Sequence, residues 1–93
     1  MATKFRYVPS CNLSYRQQGL VWFKAQAYKR LENAEKAKLR AACREAGGEY
    51  DAAIFEYMTT TASWRYVCEK HHISDATLQR VRKRFYEVYS KMA

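Results

Sequence analysis

Residues 63–85, SWRYVCEKHHISDATLQRVRKRF, have the spacing of two short helices joined by one sharp turn. The first segment offers a small side chain, Cys68, where a following helix would cross it. Four residues later stands His72, and His tolerates the left-handed backbone conformation better than a β-branched residue does. Ile73 is then expected to point inward, and Ser74 has the side-chain oxygen that caps a helix N-terminus. This pattern predicts a helix-turn-helix.

The second helix of this unit, expected over 75–89, has two different faces. Leu78, Val81 and Phe85 recur at the spacing of one helical face, which we expect to pack against the preceding helix over 64–71. The opposite face carries side chains suited to base edges in a DNA major groove, namely Ala76, Gln79, Arg80 and Lys83. The first three rank above Lys83, because the first turn of such a helix makes most base contacts. Towards the flanks, where side chains reach phosphate oxygens, lie Thr77, Arg82 and Arg84.

The rest of the chain is predicted to be helical as well. One Pro and three Gly in 93 residues argue against an all-β domain with many tight turns. Ser14 and Gln17 have capping-box spacing, which predicts a helix from Tyr15. Asn33 is expected to cap a segment over 34–46, and the two glycines that follow stop it.

A further short helix is expected over 49–58. We therefore predict one all-α domain over residues 1–93, with four to five helices. It comprises an extended arm over 1–13, because Pro9 disfavours helix before it, a helical segment over 14–46, and a helix-turn-helix unit over 49–91.

The segment over 14–46 has an apolar stripe at helical spacing, made of Leu20, Phe23, Ala27 and Leu31. One hypothesis is that this stripe packs in the core or pairs with a second copy of the chain. Another is a second nucleic-acid surface made of the basic side chains of the segment, which are Arg16, Lys24, Lys29, Arg30, Lys36, Lys38, Arg40 and Arg44. DNA readers of this kind commonly bind as dimers, which favours a homodimer.

The net charge of +8 favours a polyanionic partner, because each cation placed near a phosphate releases condensed counterions. The charge is unevenly distributed. Residues 1–46 carry ten basic and three acidic side chains, residues 47–78 carry two and five, and residues 79–93 carry five and one. The basic excess therefore lies in two blocks separated by an acidic middle.

Other chemistry is not indicated. Cys68, His71 and His72 lie close in sequence, but a zinc site needs four ligands in paired spacing, so we expect neither a metal nor a cofactor. No nucleotide-binding or metalloprotease motif occurs, and we expect no enzymatic activity. Three widely spaced cysteines predict reduced thiols in a cytoplasmic protein. The N-terminal residues have no apolar core of a secretory signal, and no run of 18 apolar residues predicts a membrane span.

The stretch over 50–89, YDAAIFEYMTTTASWRYVCEKHHISDATLQRVRKRFYEVY, resembles the C-terminal part of sigma-factor region-4-like regulators. It is most similar to small phage late-gene activators of the ArpU/RinA type. In those proteins a helix precedes a hydroxyl-rich turn, the two-helix DNA reader and a basic aromatic end. The resemblance implies contact with RNA polymerase. It also implies DNA contacts by Ser74, Ala76, Thr77, Gln79, Arg80 and Lys83.

We therefore expect a sequence-specific transcriptional regulator of phage or mobile-element origin, located at the nucleoid in the cytoplasm, that binds double-stranded DNA. An alternative is an oligomeric phage assembly or packaging module, like a small terminase subunit, that uses its helix-turn-helix to dock DNA or protein. RNA binding is a third hypothesis, because the eight tyrosines offer stacking surfaces.

Overall fold

A computed structural model describes residues 5–92 and contains no strand in that range. The chain is all-α, as predicted. Its five helices are α1 (Tyr15–Gln26), α2 (Asn33–Gly47), α3 (Asp51–Thr59), α4 (Trp64–His71) and α5 (Asp75–Lys91). Single 3₁₀ turns at Tyr28–Arg30 and Gly48–Tyr50 precede α2 and α3. None of these helices combines the length and the apolar content that crossing a bilayer requires.

Local capping signals set most helix starts. The capping box at α1 is present, because Gln17 N–H donates to Ser14 Oγ and Ser14 N–H donates to Gln17 Oε1. The predicted cap of α2 is wrong by one residue: Asn33 is already helical, and Glu32 precedes it without a side-chain capping bond. Gly48 has φ +57°, a conformation that costs a residue with a Cβ, so the predicted stop at this position is confirmed.

The core forms where α2 packs against both α3 and α5, while α1 lies against α3. Leu39 of α2, Ile54 of α3 and Phe85 of α5 are fully buried at this junction. α4 packs mainly on α3. The helix-turn-helix therefore does not stand alone, because α2 supplies much of the surface that covers its last helix.

The face of α1 that is buried differs from the predicted one. Leu20 and Phe23 are 65% and 54% exposed, whereas Trp22 and Ala25 are buried with Gln18 one turn earlier. Core packing of the stripe is therefore wrong for Leu20 and Phe23, and pairing of the stripe with a second copy of the chain stays a prediction. Gln18, Trp22 and Ala25 also follow helical spacing, so periodicity alone did not decide between the two faces.

The N-terminal segment folds onto the body of the protein. Residues 1–4 of the predicted extended arm lie outside the described residues. In the remainder, Cys11 N–H donates to the Val8 carbonyl at 3.1 Å, which closes a turn over 8–11. Val8, Cys11 and Leu13 are buried. The described part of the predicted arm therefore includes a turn over 8–11 that is docked on the body of the protein.

Gln18 holds this turn in place. Its Oε1 accepts from Val8 N–H at 2.8 Å, and its Nε2 donates to the carbonyls of Val8 and Leu13 at 3.0 Å each. The backbone groups of Val8 and Leu13 are thus hydrogen-bonded to a buried amide side chain instead of to the backbone of a strand or a helix. Because those bonds point inward, they explain why the Gln18 face of α1 is the buried one.

Candidate nucleic-acid interface

The connection between α4 and α5 has the predicted geometry. Ser63 Oγ caps α4, and His72 ends it with φ 54° and ψ 47°, in the left-handed region. Ile73 is buried, and its N–H donates to the Cys68 carbonyl at 3.1 Å. Ser74 Oγ then caps α5. The predicted turn and the predicted cap at Ser74 are confirmed.

The residues on the inner side of α5 are the predicted ones, but the helices that pack against them are not. Leu78, Val81 and Phe85 are buried. As a whole, α5 packs mainly on α2 and α3 rather than on α4, so the predicted packing against the preceding helix is wrong for most of α5. The reason is length, since α4 has eight residues and α5 has seventeen, so most of α5 extends beyond what α4 can cover.

The outer side of α5 carries most of the predicted contact residues. Exposed there are Ser74, Ala76, Gln79, Arg80 and Arg84, and half-buried are Thr77 and Lys83. Among residues 5–92, no ion-pair partner is found for Arg80, Lys83 or Arg84. The charge of these cations is therefore not neutralised by an acidic side chain in that range, and it faces solvent on one side of the helix.

Arg82 is the exception among the predicted contacts. It is only 8% exposed, and its guanidinium lies 4.9 Å from the centre of the Trp64 ring. The expected position on an outer flank is therefore wrong. Attraction between the cation and the aromatic ring offsets part of the cost of burying the charge.

Trp64 and Asp75 link α4 to the start of α5, a contact that the sequence did not reveal. Trp64 lies edge-on against Tyr57 of α3, with ring centres 5.1 Å apart. Its Nε1–H donates to Asp75 Oδ1, and Asp75 Oδ2 accepts from Gln79 Nε2 at 3.0 Å. One chain of contacts thus runs from α3 through α4 to the amide of Gln79. That amide keeps its Oε1 and one N–H for an external partner.

Two of the predicted contacts have structural tasks as well. Ser74 Oγ accepts from Thr77 N–H at 3.1 Å and lies 2.8 Å from Thr77 Oγ1. The Ser74 hydroxyl is therefore committed to the start of α5. Thr77 Oγ1 accepts that bond, and its own hydroxyl hydrogen remains available to a phosphate oxygen.

The basic side chains of α1 and α2 are largely used within the molecule. Lys24 pairs with Glu35 at 3.3 Å. Three more cations lie over aromatic rings: Lys36 over Tyr28, Lys38 over Tyr89 and Arg40 over Phe55, at 4.7–5.6 Å from the ring centres. These contacts favour packing over the hypothesis of a second nucleic-acid surface, because half of the side chains in that set already have partners.

An ion-pair cluster joins α3 to α4 near the turn. Glu56 Oε1 lies 2.8 Å from His71 Nε2 and 3.2 Å from Lys70 Nζ. The hydrogen bond from His71 lowers the pKa of Glu56 below its ordinary value, burial opposes this, and Lys70 adds to the lowering. Among residues 5–92, no three His, Cys, Asp or Glu side chains are grouped closely enough to hold a metal ion.

Comparison with protein-family models, with curated proteins and with solved structures finds no match. The resemblance to phage late-gene activators therefore remains a prediction. What the arrangement offers chemically is a short capped helix, a fixed left-handed turn and a longer helix with an apolar inner side. The outer side of that longer helix combines an amide with unpaired cations.

Proposed function

We propose that this protein is a sequence-specific, double-stranded DNA-binding transcriptional regulator that places α5 in the major groove. One observation carries the proposal: the helix-turn-helix geometry between α4 and α5 occurs together with an outer side of α5 that exposes side chains suited to base edges. Gln79 and Arg80 stand there within the first two turns of the helix, exposed and next to each other. An amide suits adenine, and a guanidinium suits guanine, in the major groove.

The same proposal assigns roles to the other outer residues. Ala76 allows close approach of the helix or contacts a thymine methyl group. Thr77 and Arg84 contact phosphates, and α4 lies across the backbone, as is usual for this motif. The proposal includes an origin in a phage or mobile element, a place at the nucleoid in the host cytoplasm and contact with RNA polymerase. The origin, the location and the contact with RNA polymerase rest on the resemblance alone. It includes no catalytic activity.

The test is a selection of bound sites from random duplexes, followed by binding assays on single variants. Arg80→Ala should cost about 1–3 kcal/mol, which is about 5- to 150-fold in affinity, and should blur one base position. Arg84→Ala should weaken binding to all sequences alike. Lys91→Ala is the matched control, because Lys91 is an exposed cation at the end of α5 that is not among the predicted contact residues. Unchanged affinity and base preference in Arg80→Ala would refute the placement of α5.

A second candidate function, an oligomeric assembly or packaging module, is favoured by one observation. Leu20 and Phe23 are large apolar side chains exposed on the same helix, α1. Exposed apolar groups of this kind occur at protein–protein contacts. The same surface serves a homodimer of the regulator.

Sedimentation and a salt series separate the two functions. A DNA reader should lose affinity steeply as salt rises and should strongly prefer one sequence. An assembly module should form oligomers above the dimer and show little sequence preference. Leu20→Lys should dissociate both the homodimer of a regulator and the larger oligomer of an assembly module. Only a regulator should then still bind a DNA duplex that contains a single half-site.

A further inference from the structure

The docked N-terminal turn and α5 form the two walls of a groove, which we call the α5 groove. Val8, Pro9 and Ser10 line one wall, and Ala76, Gln79, Arg80, Arg82 and Lys83 line the other. Its volume is about 370 Å³. A water molecule takes about 30 Å³ of liquid volume, so the groove has room for a phosphate group with several waters.

All the charged side chains that line the α5 groove are cations. The groove carries Arg80, Arg82 and Lys83 and no carboxylate, and its neutral polar groups are Ser10 and Gln79. In the part of the chain that the structure describes, none of the three cations has an ion-pair partner. Like charges that line one groove repel one another, and the attraction of each to a bound anion offsets that repulsion.

Arg82 supplies a second, independent reason to expect an anion. Its side chain is more than nine-tenths buried, yet its Nε–H has no hydrogen-bond partner among residues 5–92. The guanidinium carbon lies 4.9 Å from the centre of the Trp64 ring, and this contact supplies no acceptor to the Nε–H. A buried donor without an acceptor is costly, and a guanidinium edge matches the spacing of phosphate oxygens.

We propose that the α5 groove binds one phosphate of the DNA backbone, so that the N-terminal turn and α5 hold one strand between them. This inference rests on the proposed function. With α5 in the major groove, a phosphate strand passes beside the helix, and the turn over 8–11 is the part of the protein on that side of α5. Lys83, predicted from sequence at base edges, becomes a phosphate contact.

The wall opposite α5 is held in place before DNA binds. Gln18 makes three hydrogen bonds to the backbone on either side of the turn, and Val8 is buried. Ser10 at the tip of the turn is exposed, and its hydroxyl is free to donate to a phosphate oxygen. A wall that is already fixed loses little conformational entropy when the phosphate arrives.

The experiment measures duplex binding against salt concentration for Arg82→Met and Lys83→Met. Methionine keeps the apolar stem and removes the charge. Lys91→Met is the control, because Lys91 is an exposed cation at the end of α5 that does not line the α5 groove. Each groove variant should bind selected and random duplexes roughly 10-fold more weakly, with base preference unchanged. The slope of log affinity against log salt should fall by about 0.9.

The Nε–H resonance of Arg82 identifies the ligand directly. We expect it to shift when a duplex is added. A shift with inorganic phosphate but none with duplex would overturn the assignment to the DNA backbone. Unchanged affinity and slope in both groove variants, with wild-type protein binding duplex normally, would overturn the inference and leave the proposed function standing. If wild-type protein binds no duplex, the proposed function itself fails, and the inference fails with it.

Arg82→Met has to be separated from a loss of folding, because the side chain is buried. Urea unfolding of each variant provides this check. Lys83 is only half-buried, so Lys83→Met tests the groove without disturbing the core. A purely structural role of Arg82 predicts lower stability with an unchanged salt slope, and that result in both variants would refute the phosphate site.

Discussion

Replacing Gln18 with Leu should detach the N-terminal turn from the body of the protein. Leucine has a similar size but neither accepts nor donates, so it removes all three bonds to the turn. The Val8 carbonyl keeps a partner in Cys11 N–H. The Val8 N–H and the Leu13 carbonyl have Gln18 as their partner within residues 5–92, and they lose it.

The expected loss of stability follows from two competing costs. If the turn stays docked, two unsatisfied buried groups cost about 1–3 kcal/mol each. If the turn leaves, the burial of the Val8 and Leu13 side chains is lost, at about 1.5–3 kcal/mol each, partly offset by regained backbone entropy. The variant adopts whichever of the two states has the lower free energy, so we expect its free energy of unfolding to fall by about 2–4 kcal/mol. Domains of this kind are stable by about 5–15 kcal/mol, so the helices should remain folded.

Urea unfolding measures the loss, and hydrogen exchange at the Val8 amide shows which route is taken. We expect that amide to exchange rapidly in Gln18→Leu while the amides of α2 and α5 stay protected. Gln17→Ala is the matched control on the same turn of α1, because its exposed capping bond should contribute only about 0.5–1.5 kcal/mol. Equal stability of the two variants, or a protected Val8 amide in Gln18→Leu, would refute the role given to Gln18.

Two further predictions concern ionisation. Because the folded-state pKa of Glu56 is lowered, its pairing with His71 and Lys70 stabilises the fold above the ordinary pKa of 4.5 and is lost as pH falls through the lower folded value. The stability gap between wild type and Glu56→Gln should therefore narrow in acid, and a gap that is constant with pH in urea unfolding would contradict this. Burial raises the pKa of the Cys43 thiol to about 12 and raises that of Cys68 too. Cys68 is less buried, so alkylation of native protein followed by mass mapping should find Cys68 modified first and Cys43 only after unfolding. Early modification of Cys43 would show that α2 opens readily.

Much of the helix-turn-helix was predictable because its determinants are local. A serine oxygen reaches an N–H three residues away, as it does at Ser63 and Ser74, whatever the rest of the chain does. The strain of a left-handed residue such as His72 likewise depends on its own backbone. Helical periodicity also predicted which contact residues lie on the outer side of α5. The apolar side chains identify the inner face of the helix, so the opposite face has to be the outer one.

The roles of Gln18, Trp64 and Arg82 were not predictable in the same way. Each depends on atoms far away in sequence, and nothing in the residues near Gln18 marks it as the anchor of a turn. Trp64 and Asp75 stand eleven residues apart on either side of the turn, and the hydrogen bond between them is visible only in the structure. The sequence by itself determined the starts of α1 and α5 and the turn between α4 and α5, since capping and backbone strain act within a few residues. The tertiary structure decided which face of α1 is buried and where the Arg82 charge lies, since burial depends on the surfaces that distant segments bring against a helix.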